Sequence, residues 1–300
     1  MLNMTVVILT FNEIKHIERC IKSLTGLVSR IVVVDSFSTD GTVELCESLG
    51  AEVFQNIWRN YANQFQWGLD NCGIDSVWTM RMDADEYLEN ELVAELEARF
   101  PLLDPELNGV YLKRKVFFKG RWIKYGGFYP HVLLRIWKTG EGRIEQRWMD
   151  EHIVIEAPKT TTFNTNLVDD NLNHIGWWTD KHNSYASREM VDLLNMKYRF
   201  LEKDDAIRES DDRQAKVKRF IKEEVYSRLP LGVRPVLYFF YRYVLRGGFL
   251  DGGKGFLFHL LQGLWYRLLV DIKVSEVERL LQPGDKNVKT IIRDLYGIEV

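Results

Sequence analysis

The stretch VWTMRMDADE occupies residues 77–86. Its apolar first part, residues 77–80, predicts a buried strand that stops at the carboxylates. In an open α/β sheet, ligands bind outside the carboxyl ends of the strands. Asp83 and Asp85 are two residues apart, so in a strand their side chains share a face and could together bind one Mg²⁺ or Mn²⁺ ion. The alternative is a solvated acidic loop before a helix. The sequence around the motif is needed to distinguish a metal site from such a loop.

Three further strands are predicted before this one: two that are mainly apolar and rich in β-branched residues, at 5–10 and 30–34, and a short one at 51–54. Segments with helical spacing of apolar residues lie between them, at residues 14–24, 43–49 and 61–71. Alternation of strands and helices predicts a parallel sheet with right-handed crossovers. The polar ends at residues 10–13, 35–40 and 83–85 should therefore lie along one edge, where a nucleotide would bind. Asp40 suits either capping of the following helix or ligand contact.

Composition restricts the class of protein. The chain has 300 residues, of which 46% are hydrophobic, and this predicts a soluble globular protein with two domains or one large one. Its net charge of -3 argues against a general nucleic-acid binder, because no excess of cations is present to neutralise phosphates. We therefore expect no nucleic acid among its partners.

The cysteines and the N-terminus indicate a cytosolic location. Cys20, Cys46 and Cys72 are far apart and form no CxxC pair, so neither a zinc site nor a disulfide framework is predicted. Residues 1–4 run into a strand without a basic region or a cleavage site, so we expect no signal peptide. No stretch reaches the roughly 18 apolar residues that a membrane-spanning helix needs.

The N-terminal half lacks a GxGxxG turn and a GxxxxGK[ST] loop, which excludes the common dinucleotide-binding and P-loop phosphate-binding motifs. A diphosphate would instead have to be bound through a metal ion held by carboxylates. Residues 10–13 (TFNE), 33–42 (VVDSFSTDGT) and 82–86 (MDADE) together resemble the family 2 glycosyltransferases. The resemblance implies an α/β domain of the GT-A (Rossmann-like) fold with a mostly parallel central sheet, followed here by an α-helical C-terminal appendage.

The same resemblance implies roles for particular residues. Asp83 and Asp85 look like the DxD pair of the family, which touches the ribose and the metal ion, Mg²⁺ or Mn²⁺. The implied nucleotide-sugar contacts, in addition to Asp83, are Thr10, Asn12, Glu13, Asp35 and Ser38. Two departures are the segment 35–38, where many relatives have two acids and a glycine, and Gln66, where asparagine is common.

A catalytic base is expected at the start of a further apolar strand, within residues 148–155. Sugar transfer with inversion requires a base near the acceptor hydroxyl, and a carboxylate serves if it stays ionised. The acids of Asp150 and Glu151 resemble the pair that the family often carries at this position. Glu151 is the favoured base and Asp150 is the second candidate. The alternative is a cluster that only caps a turn.

A Trp-rich segment at residues 173–186 adds two candidates, and Arg188 just beyond it adds a third. GT-A enzymes often supply a histidine to the metal from beyond the sheet, and by this resemblance His174 is a candidate third ligand. A packing role is the alternative. Lys181 and Arg188 could meet phosphate oxygens, although a solvated helix face explains them equally well.

The C-terminal third differs in composition. Residues 203–219 are densely charged and predict an exposed helix or connector, whereas residues 229–274 are apolar, aromatic and basic. Glycines at 247–253 should break this region into two helices. Such helices are typical of a membrane interface with anionic lipid. A helical hairpin packed on the catalytic domain or on a dimer mate is the alternative.

The patterns and the resemblance lead to one expectation. Residues 1–200 form the glycosyltransferase domain, and residues 201–300 form a helical region that contacts the membrane or a second copy. The tail also resembles bacterial enzymes of lipopolysaccharide core or exopolysaccharide synthesis. We expect transfer of a sugar, with a UDP-sugar favoured as donor, to a glycan or lipid-linked acceptor on the cytoplasmic face of the inner membrane. A sugar nucleotidyltransferase and a non-catalytic glycan-binding protein are the alternatives.

Overall fold

The structure is a computed structural model, and it describes residues 1–146, 148–149, 151–201, 217, 226, 229–281 and 288–300. The strands are β1 (Leu2–Thr10), β2 (Val28–Asp35), β3 (Glu52–Gln55), β4 (Trp78–Asp83), β5 (Glu86–Leu88), β6 (Gly109–Phe118), β7 (Arg121–Trp122), β8 (His131–Lys138), β9 (Gly142–Ile144), β10 (Ile153–Ile155) and β11 (Thr160–Asp170). The α-helices are α1 (Ile17–Leu24), α2 (Thr42–Ser48), α3 (Tyr61–Asn71), α4 (Asn90–Arg99), α5 (Ile175–Tyr198), α6 (Val233–Phe240), α7 (Gly252–Phe258), α8 (Tyr266–Leu280) and α9 (Val288–Tyr296).

One large sheet has the strand order β3, β2, β1, β4, β8, β6, β11, β5, and β7 pairs with β6. The four strands that the sequence predicted, β3, β2, β1 and β4, are parallel neighbours, which confirms the α/β fold class. Beyond β4 the sheet is mixed, because β8 runs antiparallel to both β4 and β6. Strand β4 stops at the carboxylates as predicted, and because it ends at Asp83 the first acid belongs to the strand itself.

Residues 6–9 of strand β1 are all apolar because both faces of the strand are covered there. Val6 and Ile8 contribute to a core with Ile17 of α1, whereas Val7 points to the other face and packs in a second core with Phe65 of α3. Side chains alternate between the two faces of a strand, so a strand buried on both sides shows no polar positions. This burial holds the end of β1, and with it Thr10, in the middle of the sheet edge.

The C-terminal helices pack on α5 and on the loop after β7. Met190 and Leu194 of α5 share a core with Val270 and Val274 of α8 and with Ile292 of α9. The predicted break between two helical segments is confirmed: α6 continues as a π-helical turn to residue 245, and helix resumes at residue 252 and runs through a second π-helical turn to residue 280. The charged connector predicted at residues 203–219 lies outside the described residues apart from Val217.

Helix α3 approaches the sheet most closely at Gly68. A Cβ atom added there would lie 2.7 Å from Cγ2 of Val34, inside β2. We expect Gly68→Ala to lower the free energy of unfolding by about 1–3 kcal/mol, because neither the strand nor the β-branched side chain can move away freely. Gly253→Ala is the matched control, since Gly253 is exposed in α7 and an added Cβ meets no atom within 4 Å. Thermal unfolding of both variants tests this, and equal melting temperatures would contradict it.

Candidate active site

The carboxyl ends of β2, β1 and β4 meet at one edge, as predicted. Thr10 is paired in register with Asp35, and Leu9 is paired with Asp83. The side chain of Asp35 is fully buried there. Its Oδ1 accepts a hydrogen bond from the Thr10 hydroxyl (2.8 Å), and its Oδ2 accepts one from the backbone N–H of Ser38 (2.8 Å). Asp35 therefore braces the loop after β2 from within.

The loops after β1 and β2 are bound to each other. The backbone N–H of Asn12 donates to Oγ of Ser38 (2.8 Å), and Oδ1 of Asn12 accepts from the N–H of Thr39 (2.9 Å). Asn12 has φ of 55° and Phe37 has φ of 61°, a region that residues other than glycine rarely adopt. In these two loops, the rings of Phe11 and Phe37 are 59% and 50% exposed. The predicted nucleoside residues thus form one ordered rim with two exposed aromatic rings.

Asp40 has a structural role in this rim. Its Oδ1 accepts hydrogen bonds from the N–H and the hydroxyl of Thr42, and its Oδ2 accepts one from the N–H of Ile14. Burial alone would raise the pKa of Asp40, but these hydrogen bonds lower it below its ordinary value. The structure therefore favours capping over ligand contact for this residue.

Glu13 is held by a buried histidine that the sequence did not single out. Nδ1 of His16 lies 2.6 Å from Oε2 of Glu13, and Nε2 of His16 accepts the N–H of Leu172 (2.9 Å). Since Nε2 accepts, the proton is on Nδ1 and is donated to the carboxylate. His16 is 1% exposed, so it fixes the Glu13 side chain and also ties α1 to the chain just before α5.

Asp83 stays ionised at the end of β4. Its Oδ1 accepts a hydrogen bond from the Tyr61 hydroxyl (2.5 Å), and its Oδ2 lies 3.4 Å from Nη2 of Arg135. Arg81 lies 4.0 Å from Oδ1. Burial alone would raise the pKa of Asp83, but the charges of Arg135 and Arg81 outweigh it and hold this pKa well below its usual range.

Two further acids lie beneath Asp83. Glu86 is fully buried, binds Nη2 of Arg135 at 2.5 Å and accepts the N–H of Asp83 at 2.9 Å. Burial raises the pKa of Glu86 to about 8 and that of Asp169 to about 6, although Arg135 and Arg114 oppose these shifts. Sequence reasoning missed these residues, because their contacts depend on how β8 and β6 join the sheet.

Asp85 lies in the turn after β4. Its Oδ2 accepts a hydrogen bond from Nδ2 of Asn171 (2.9 Å), and its backbone oxygen accepts the N–H of Asp170 (3.1 Å). Among the residues that the structure describes, no three His, Cys, Asp or Glu side chains are grouped closely enough to hold a metal ion. Divalent magnesium often takes one carboxylate and fills its other positions with phosphate and water oxygens. Asp85 fits that kind of site.

His174 is not brought to the acid pair. It is exposed and precedes α5, where its Nδ1 accepts the N–H of Trp177 at 3.2 Å, so it caps the helix. Side chains that accept from the first N–H groups of a helix stabilise it. As placed, Asp83, Asp85 and His174 do not form a three-ligand metal centre.

The predicted base lies beside the same edge. The backbone oxygen of Glu151 accepts a hydrogen bond from Nη1 of Arg81 (3.2 Å), and the charge of Glu151 is among those that raise the pKa of Arg81. Arg81 itself packs 4.5 Å from the ring centroid of Tyr61. Glu151 and Asp83 therefore share one guanidinium. Asp150 lies outside the described residues.

Comparison with known proteins supports the family. The model of "Glycosyl transferase family 2" matches residues 5–172. An uncharacterized glycosyltransferase of Rickettsia bellii is 43% identical over 93 residues, which are 31% of each chain. The lipopolysaccharide core biosynthesis glycosyltransferase LpsC of Rhizobium meliloti is 32% identical over 148 residues, 46% of this chain and 52% of that protein. These relatives thus share only part of their length with the chain.

Among solved structures, the S. aureus TarS 1-349 complex with UDP-GlcNAc covers 92% of both chains, with a TM-score of 0.46 and 13% identity. This likeness is too low to carry an assignment. The family model instead covers more than half of the chain, including all three strand ends of the candidate site. The chain belongs to glycosyl transferase family 2 and has the GT-A-like α/β fold of that family.

Proposed function

We propose that this protein transfers a sugar from a nucleotide diphosphate sugar to a glycan or lipid-linked acceptor, with inversion at the sugar carbon. The observation that carries the proposal is the meeting of Thr10, Asp35 and Asp83 at one sheet edge, with Asp85 in the adjoining turn, in a chain of this family. A UDP-sugar is the proposed donor. Residues 1–200 would carry the reaction, and residues 201–300 would provide attachment.

In this proposal the residues after β1 and β2 bind the nucleoside, and Asp83 binds the ribose. Thr10, Asn12, Glu13, Asp35 and Ser38 form the rim that would receive the nucleoside. Asp83 is ionised, so it can accept hydrogen bonds from ribose hydroxyls.

Asp85 would hold a Mg²⁺ or Mn²⁺ ion, and His174 remains a candidate for it only if its loop rearranges. When bound, such an ion neutralises charge on a diphosphate.

The base acts on the other substrate. Glu151 would accept the proton of the attacking acceptor hydroxyl as its oxygen bonds to the sugar carbon and the diphosphate leaves with the electron pair of the broken bond. Arg81 positions this residue through its backbone oxygen. Asp150 is the second candidate for the same role.

Asp85→Asn tests the metal role. We expect transfer from a UDP-sugar to fall by roughly 100-fold or more, because a neutral amide binds a divalent cation weakly and charge on the leaving group is then less well stabilised. Melting temperature should stay near that of the wild type. Asp75→Asn, an exposed acid ahead of β4, is the control and should be fully active. Turnover of Asp85→Asn within twofold of the wild type would contradict the assignment.

Glu151→Gln tests the base, with Asp150→Asn measured beside it. We expect Glu151→Gln to lower kcat by about 10²- to 10⁴-fold while donor binding changes little, because the amide cannot accept the proton. Steady-state kinetics and calorimetric donor binding separate the two effects. If Asp150→Asn shows the large loss and Glu151→Gln does not, the base is Asp150. Full activity in both variants would refute a base in this segment.

The membrane proposal depends on an exposed surface of the C-terminal helices. We name it the apolar C-terminal surface, and its members are Leu231, Val233, Val236, Leu237, Phe240, Tyr241, Val244, Leu245, Phe249, Leu250, Phe256 and Leu257. Asp251 is the only acid within residues 229–270, and it is buried, accepting the N–H groups of Lys124 and Tyr125. Arg246 and Lys254 are exposed beside the surface. In the described part of the chain, none of the helices is long and apolar enough to cross a bilayer.

An apolar face bordered by cations, with no exposed acid among residues 229–270, matches an anionic lipid surface. We therefore propose that this surface lies on the cytoplasmic leaflet of the inner membrane, where a lipid-linked acceptor would be found. A second copy of the chain is the competing occupant.

Vesicle sedimentation distinguishes the two occupants. We expect the wild type to bind vesicles that contain phosphatidylglycerol, and the double variant Leu245→Glu/Phe249→Glu to bind at least tenfold more weakly, because two carboxylates would have to enter the interface. Leu102→Glu, at an 83% exposed position elsewhere, is the control. If the wild type does not sediment with vesicles, or is a dimer in light scattering that the double variant dissociates, the membrane proposal fails.

A further inference from the structure

The start of helix α5 is attached beside Asp85. Asn171, four residues before the helix, donates to the Asp85 carboxylate, and the N–H of Asp170 donates to the Asp85 backbone oxygen. The N–H of Leu172 is bound by the buried His16. These contacts fix the direction in which α5 leaves the sheet, and the helix therefore runs from the acidic turn into the C-terminal core.

One face of α5 carries Lys181, Tyr185 and Arg188, at the spacing of four and three residues that places helical side chains side by side. Nζ of Lys181 lies 4.6 Å from the ring centroid of Trp177 and 5.8 Å from that of Tyr185. The guanidinium of Arg188 lies 5.6 Å from the Trp58 ring, in the loop before α3. Lys181 and Arg188 are each partly buried, so this face is not a solvated one.

The charges around Lys181 come from the donor side of the site. Burial alone would lower its pKa, but Tyr185, Asp85 and Glu13 raise this pKa well above its ordinary value. Lys181 is therefore a cation at neutral pH. The groups that act on Arg81 are different ones, Tyr61, Asp83 and Glu151 among them. Arg81 is bonded to the backbone of the proposed base, whereas Lys181 lies on the helix whose start is attached to Asp85, the proposed metal ligand.

A nucleotide sugar joins its nucleoside to its sugar through a diphosphate. With the nucleoside at Glu13 and a divalent ion at Asp85, the diphosphate has to pass between those two acids. We propose that Lys181 binds the diphosphate of the donor, and so supplies from α5 a second positive charge beside the ion. The proposal rests on the proposed function.

Lys181 would act without a change in protonation. When the bond between the sugar carbon and the diphosphate oxygen breaks, the electron pair leaves with the diphosphate, and the ammonium donates a hydrogen bond to one of its oxygens. Lysine serves as a point charge for phosphate, and its three donors leave the orientation of the group free. Tyr185 and Trp177 restrict the side chain to this side of the helix.

Calorimetric binding of nucleotides tests the proposal. UDP, GDP and dTDP are titrated with Mg²⁺, and the tightest of them is compared with its nucleoside on the wild type, Lys181→Met, Lys181→Arg and Lys197→Met. Lys197 is the matched control, because it lies on the same helix at 61% exposure and pairs with Glu278. We expect Lys181→Met to bind the diphosphate at least tenfold more weakly and the nucleoside within twofold of the wild type. Lys181→Arg should bind the diphosphate more tightly than Lys181→Met and more weakly than the wild type.

The outcomes separate this proposal from the proposed function. Unchanged diphosphate affinity in Lys181→Met overturns the inference alone, provided that the wild type binds. Equal loss of diphosphate and nucleoside affinity also overturns it, because Lys181 would then support the shape of the site and not the phosphates. If the wild type binds none of the three nucleotides, with Mg²⁺ or Mn²⁺, the proposed function and this inference both fail.

Discussion

The constraint on which the site depends is the position of ionised Asp83, whose side chain is only 27% exposed, between two arginines. A carboxylate removed from water is strongly destabilised unless it is paired and hydrogen-bonded. Arg135 and Arg81 supply the charges and Tyr61 supplies the hydrogen bond, so the acid at the end of β4 keeps its charge. The neighbouring Glu86 takes the opposite shift, because it is more deeply buried and shares Arg135 with Asp83. Two acids three residues apart thus have pKa values moved in opposite directions.

The contact between Arg135 and the two acids depends on a change from parallel to antiparallel strand pairing after β4. A fifth parallel strand would place another strand end next to Asp83, whereas antiparallel β8 runs back along β4 and places Arg135 beside the acids. Strand β6 then pairs with β8 and contributes Arg114, which lies 3.3 Å from Asp169 and 3.7 Å from Glu86. Strands β8 and β6 therefore supply the cations that lie beside Asp83 of β4 and beside Glu86 and Asp169 of the mixed half.

The sequence predicted the parallel half because its signals are local. The apolar run at residues 6–9 of β1 is followed directly by polar residues, so Thr10 and the acid pair were found together with their order along the edge. Arg135 could not be found this way, since it is 52 residues from Asp83 and its contact exists only once β8 is in register. Strand β11 was missed because threonine and asparagine dominate its first part and obscure the alternation of apolar residues. Asp35 was predicted correctly in position, but its inward orientation depends on the Ser38 loop, which no spacing rule describes.

Helix α5 joins the two regions of the protein. Asp85 and Glu13 of the sheet edge act on the charge of Lys181, and more than three turns further on Leu194 belongs to the core that contains α8 and α9. Glu189, between them, binds the Tyr266 hydroxyl at 2.5 Å and also Arg267. A continuous helix of 24 residues is about 36 Å long and transmits position with little bending. If the apolar C-terminal surface lies on lipid, α5 therefore sets the height and tilt of the acid edge above the bilayer.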